Sequence, residues 1–179
     1  MDLLRSWNRR INLVGDASLG DVWRRHILDS AQLIRHLKPG ARVLVDLGSG
    51  AGLPGLILGI LGVPEVHLIE SDQRKAAFLR EAARITRTAA KVHAARIETI
   101  TPFPTDVVTA RALAALPQLL EWSKPFVGET TICLFLKGRA LHDELTAVQK
   151  KWIMDTQALA SLADPTGYIL RVEGLRAAD

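Results

Sequence analysis

The 179-residue chain is 48% hydrophobic, enough for one complete core and without sign of a second. Its formal net charge of +4, with a pI near 9.6, points towards a polyanionic partner, while a single cysteine, Cys133, excludes an internal disulfide and a cysteine-cluster metal site. No secretory leader is seen at Met1, and the most apolar stretch, Leu53 to Pro64, is interrupted by glycine and proline and too short to span a bilayer, so a cytoplasmic, membrane-free monomer without bound metal is expected.

The first forty residues read as a helical segment packed on a core that runs from 41 to 179, the whole making one domain. Leu3, Leu4, Trp7, Ile11 and Leu13 or Val14 recur at helical spacing, and Asp16 to Gly20 is a break. Asp21 is placed to cap a second helix that turns Val22, Ile27, Leu28, Ala31 and Leu33 inward and ends near Pro39-Gly40. His26 and Asp29 lie three apart on that helix, which favours a buried histidine tied to a carboxylate over a metal pair lacking further ligands.

From Val43 to Gly55 the chain reads strand, glycine turn, helix. Glycines at 48, 50 and 52 suit a loop whose backbone takes positive φ or lets a ligand come closer than a Cβ permits. The third glycine falls one residue early for a dinucleotide fingerprint, and no lysine is present for a P-loop. Asp46 would repel a pyrophosphate but attract a cationic amino group, so the ligand suggested is a nucleoside with a positive amino-acid tail. Glu65 to Glu70 is a second strand ending in an acid that can accept ribose hydroxyls. In this order the elements resemble the class I S-adenosylmethionine-dependent methyltransferases, which implies an α/β, Rossmann-like fold with a mostly parallel seven-stranded sheet and helices on both faces.

Further on, Asp72 caps a helix over 73–86 that buries Ala76, Phe78, Leu79 and Ala82. Lys91 to Ala94 is a third strand, followed by the turn Arg96-Ile97-Glu98. Asp106 to Ala110 is the fourth strand, and the reversal of strand order between the first and the fourth aims Arg111 at the ligand crevice. Arg111 can pair there with a ligand carboxylate or an RNA phosphate. Thr131 to Leu136 is the fifth strand, with Cys133 as core packing and Lys137 at the rim. A helix over 141–150 and strands over 152–159 and 167–172 complete the chain, the last two joined by the turn Asp164-Pro165-Thr166-Gly167.

Three segments sharpen the resemblance: Trp7-Asn8-Arg9-Arg10-Ile11-Asn12-Leu13, His26-Ile27-Leu28-Asp29-Ser30, and Asp46 through Gly55. With Arg74-Lys75, Phe78-Leu79, Thr109-Ala110-Arg111-Ala112 and Leu136-Lys137-Gly138 they are similar to the glucose-inhibited division protein B family over nearly the whole chain. Members usually carry a further helical segment before the Trp-Asn motif. The resemblance implies S-adenosylmethionine as cofactor, held by Asp46, Gly48, Ser49, Gly50, Gly52, Leu53, Glu70, Ile97, Glu98 and Arg111, with Ile97 and Glu98 at the adenine. It also implies methylation of guanine N7 in the 530 loop of 16S ribosomal RNA, as free RNA or in the small subunit. Arg9, Arg10, Arg24, Arg25, Lys137 and Arg139 are expected to share the cofactor-side face and meet RNA phosphates, with Lys137 alternatively orienting the guanine.

The chemistry is narrowed by missing parts. Methylation of a pyrimidine ring carbon normally needs a cysteine nucleophile, and methylation of an exocyclic amine an Asn/Asp-Pro-Pro-aromatic motif where this chain has Thr109-Ala110-Arg111-Ala112. Guanine N7 has a free lone pair and no proton to lose, so alignment suffices and no catalytic base is expected. Two alternatives are a non-catalytic RNA-binding assembly factor on the same fold and, less favoured by the glycine spacing, an NAD-dependent oxidoreductase.

Overall fold

A computed structural model describes residues 1–178. Seven strands form one sheet: β1 (Val43–Leu47), β2 (Glu65–Ile69), β3 (Ala90–His93), β4 (Val107–Arg111), β5 (Ile132–Lys137), β6 (Trp152–Ala160) and β7 (Tyr168–Ala177). Their order is β3-β2-β1-β4-β5-β7-β6, with β1 to β5 parallel and β7 antiparallel to both its neighbours. Since β1 lies between β2 and β4, the crossovers leave it in opposite directions, and the expected reversal of strand order is present.

Alternation along β1 sorts the core into two layers. Leu44 packs with Leu33, Leu56 and Leu79 on one face, under the N-terminal segment, α3 (Gly55–Ile60) and α4 (Gln73–Thr86). Val45 and Leu47 pack with Leu116, Leu120 and Leu141 on the other, under α5 (Leu116–Ser123) and α6 (Leu141–Val148). Helix α4 starts as expected, with the Asp72 carboxylate accepting from the N–H groups of Arg74 (2.8 Å) and Lys75 (3.3 Å), and it buries the four apolar residues its periodicity marks. Helix α5 has no counterpart in the sequence expectations, and β7 extends five residues beyond the expected end at Val172, to Ala177. Among the described residues no helix is long and apolar enough to cross a membrane.

The N-terminal segment departs from its pattern. Helix α1 (Asp2–Asn8) stops early because the Asn8 side-chain oxygen accepts from the N–H groups of Leu13 and Val14, both at 2.9 Å. That folds the chain back, so Ile11 and Val14 are buried from a loop and not from a helical face. Asp21 caps nothing: a 3₁₀ turn (Asp16–Asp21) runs into a π-helical turn (Trp23–Leu28), and the Asp21 carboxylate accepts from Arg24 Nε at 3.0 Å. A single α-turn, α2 (Asp29–Ala31), and a 3₁₀ turn (Gln32–His36) follow. The wider π turn shifts the register of the stripe, which leaves Leu28 exposed while Val22 and Leu33 stay buried.

Candidate active site

The loop after β1 is built for close approach. Gly48, Gly50 and Gly52 all have positive φ (63°, 52° and 79°), but they do different work. A Cβ on Gly52 would lie 2.9 Å from Leu56 Cβ, so that glycine serves packing and does not line the cavity. A Cβ on Gly50 would meet nothing nearer than the Gly48 carbonyl at 3.8 Å, so its open side is the cavity itself. The loop is closed by Gly52 N–H donating to Ser49 O (2.7 Å) and by the Ser49 hydroxyl donating to Asp46 O (2.9 Å).

Glu70, at the end of β2, reaches across to this loop. Its Oε2 accepts from Gly50 N–H at 2.9 Å and its Oε1 from Asp72 N–H at 2.8 Å, which fixes a buried carboxylate at the cavity edge with acceptor capacity to spare. Asp46 lies beneath the loop and does not line the cavity. Its Oδ1 accepts from the Thr109 hydroxyl at 2.7 Å, its Oδ2 has no partner in the protein, and burial raises its pKa to about 6.

Two cavities adjoin along this rim. The first, about 400 Å³, is lined by Gly48, Ser49, Gly50, Leu53, Glu70, Ile97, Glu98 and Arg111 among others, so eight of the ten expected cofactor residues converge on it. Glu98 is held there by Trp122, whose indole N–H donates to Oε1 at 2.8 Å. The second, about 560 Å³, is lined by Arg24, Arg25, His26, Asp29, Lys137, Glu144, Asp164 and Tyr168 among others. Leu13, Arg111 and Ala112 line both cavities, and Ala112 takes φ 50°, a left-handed conformation uncommon for a residue with a side chain.

Arg111 is the hub of that shared wall. Its Nη1 donates to Arg25 O (3.2 Å) and His26 Nδ1 (3.0 Å) and lies 3.6 Å from Asp29 Oδ2. His26 is therefore buried as expected but bound to Arg111 and Ser18, not to Asp29. Burial, with Arg111 and Arg25 nearby, lowers its pKa to about 4, so the ring is neutral near pH 7. With Nδ1 accepting from Arg111, the proton sits on Nε2 and is donated to the Ser18 hydroxyl (2.7 Å), which in turn donates to Gly15 O (2.5 Å). Asp29 is pushed up by burial against the opposing pull of Arg111, and its Oδ1 accepts from Gln32 (2.9 Å) and Ser161 (3.2 Å).

The basic residues divide. Arg24 and Arg25 are exposed on the rim of the second cavity, and Arg139 is exposed just past Gly138, which lines it. Arg9 and Arg10 are exposed beyond α1 and line neither cavity. Lys137 is not a free cation. Its Nζ lies 2.5 Å from Glu144 Oε2 and donates to Ala114 O at 3.2 Å, and the same Glu144 oxygen accepts from Leu116 N–H at 2.9 Å. Glu144, Trp122 and Tyr168 were outside the sequence expectations, because their places depend on contacts with residues distant in the chain.

The family described as rRNA small subunit methyltransferase G, GidB, has a model that matches residues 1–167. Ribosomal RNA small subunit methyltransferase G of Rhodospirillum rubrum is 57% identical over 170 residues, covering 95% of this chain and 85% of the relative. The protein of the same name from Paramagnetospirillum magneticum is 56% identical over 171 residues, covering 96% and 83%. Among solved structures, M. jannaschii TYW2 in complex with AdoMet superposes with a TM-score of 0.63 at 13% identity, over 92% of this chain and 77% of that one, a likeness of fold alone.

Proposed function

The chain belongs to the GidB family of rRNA small subunit methyltransferases, and from its two adjoining cavities we infer that it transfers a methyl group from S-adenosylmethionine to guanine N7 in the 530 loop of 16S ribosomal RNA. Family membership removes the oxidoreductase alternative. The observation that carries the reading is the shared wall of Leu13, Arg111 and Ala112, which sets a nucleoside-sized cavity beside a second one rimmed by exposed arginines.

The first cavity suits the cofactor. The open side of Gly50 leaves room for it, Glu70 offers a carboxylate to ribose hydroxyls, and Ile97 and Glu98 form the wall for adenine. The unpartnered Oδ2 of Asp46 marks a negative potential below the loop that favours a cationic amino group above it. When bound, S-adenosylmethionine supplies an electrophilic sulfonium methyl.

The protein's own groups then need only hold the base in line. Those lining the second cavity are poorly disposed to act as a base. His26 has both nitrogens engaged, Asp29 accepts from Gln32 and Ser161 and lies beside Arg111, Glu144 is paired with Lys137, and Asp164 is held below the usual carboxylate range by Thr166. A guanine N7 brings its own lone pair and sheds no proton, so such a site is sufficient for it. A ribosomal RNA substrate supports a reading of the protein as cytoplasmic, and we take it to act as a monomer. Mass-spectrometric mapping of 16S RNA from cells with and without the gene tests the reading. Loss of one 7-methylguanosine in the 530 loop is expected, and an unchanged modification pattern overturns it.

A further inference from the structure

The chain has four tryptophans, and three have evident structural roles. Trp7 packs edge-on against Phe78 with ring centroids 5.8 Å apart, Trp122 donates to Glu98, and Trp152 is buried. Trp23 is different. It is 66% exposed, the most exposed of the large hydrophobic side chains, and among the described residues its indole has no hydrogen bond or ring partner. It opens the π-helical turn whose next three residues, Arg24, Arg25 and His26, line the second cavity. That turn is firmly seated. Arg111 grips the Arg25 carbonyl and the His26 ring from the wall shared with the first cavity, and Ser18 holds the other side of His26. A flat apolar ring is thus held in water, next in the chain to Arg24, which pairs with Asp21, and to the exposed Arg25, on a backbone fixed relative to both cavities.

We propose that Trp23 is a stacking platform for a base flanking the target guanine, so that it sets the register in which RNA lies over the second cavity. The inference rests on the reading of the chain as an RNA methyltransferase. Single-stranded RNA is recognised largely by stacking unpaired bases on aromatic rings, a contact that any base can make and that neighbouring phosphates can share with arginines. A base laid on the exposed ring removes apolar surface of both from water.

The test uses the full-length protein and a fragment of 16S RNA spanning the 530 loop, intact or with each base in turn replaced by an abasic site. Trp23→Ala should weaken RNA binding about tenfold or more, and Trp23→Phe should restore most of it. The melting temperature, the affinity for S-adenosylhomocysteine and the salt dependence of RNA binding should not change, because the lost contact is neither structural nor ionic. At one abasic position the wild type should fall to the level of Trp23→Ala, with no further loss in the double combination. The proposal is overturned by Trp23→Ala binding within twofold of wild type, by Trp23→Phe binding as weakly as Trp23→Ala, or by additive losses at every abasic position. It is also overturned if free RNA binds normally while the assembled subunit binds weakly, which would assign Trp23 to a protein contact. Because affinity is read rather than methylation, a failure here is distinct from a failure of the mapping experiment.

Discussion

Glu70 combines two duties at one carboxylate, since it lines the first cavity while accepting from the N–H groups of Gly50 and Asp72. Glu70→Ala should lose a charge-assisted contact to the cofactor worth about 1.5 to 3 kcal/mol and also leave the loop unlatched, so calorimetry should show cofactor affinity down at least tenfold. Glu70→Gln keeps one acceptor for the loop and should fall between the two. Asp46 makes a different prediction, through pH. Its pKa is raised by burial to about 6 from an ordinary 3.8, so the folded state binds the proton more tightly than the unfolded chain does. This group therefore adds stability as pH falls from about 6 towards 4 and withdraws it as pH rises through that window. The melting temperature of the wild type relative to Asp46→Asn should rise across that fall in pH, and a flat difference would contradict the assignment. At this scale much of the first cavity was legible, because glycine spacing and strand-end acids are local signals. What the sequence did not carry was division of labour, since only Leu56 and Leu79 reveal that Gly52 packs while Gly50 faces the cavity.

Among the elements, the best joint to test is the one between β5, α5 and α6. Glu144 on α6 binds Lys137 at the end of β5 and the N–H of Leu116 at the start of α5, so one carboxylate ties three elements. Lys137→Ala strands that carboxylate in a mostly buried position, and the loss should be on the order of 3 kcal/mol in urea unfolding. Lys137→Met with Glu144→Gln should recover part of it, which a pure guanine-orienting role for Lys137 does not predict. Legibility differed by element for physical reasons. Helix α4 announces itself with a cap and a clean apolar stripe. The N-terminal helices do not, because the Asn8 side chain and a π turn override the spacing of Leu3, Trp7, Ile11 and Leu28. Helix α5 is masked by the alanines and proline from Ala112 to Pro117, which blur its periodicity.

Over the whole molecule, part of the basic excess falls at the second cavity, where Arg24 and Arg25 are exposed on the rim and Arg139 just beyond it. If Arg25 and Arg139 each neutralise a phosphate, Arg25→Gln and Arg139→Gln should each shallow the log-log dependence of RNA affinity on salt by about 0.7. Cofactor affinity should stay constant, because these screened charges line the second cavity or its edge and not the first. Unaltered slopes would move the RNA to another surface. The order β5-β7-β6 has a consequence during synthesis. A ribosome delivers β6 before β7, yet β6 pairs with β7 alone, through Trp152 to Ala160, and β5 keeps an open edge along Cys133 to Lys137 until β7 slides in beside it. A nascent chain paused after Ala160 thus holds one orphan strand and one unguarded sheet edge. Its second cavity also lacks Asp164 and Tyr168, so that cavity is not fully walled until the final strand has emerged from the machine that made it.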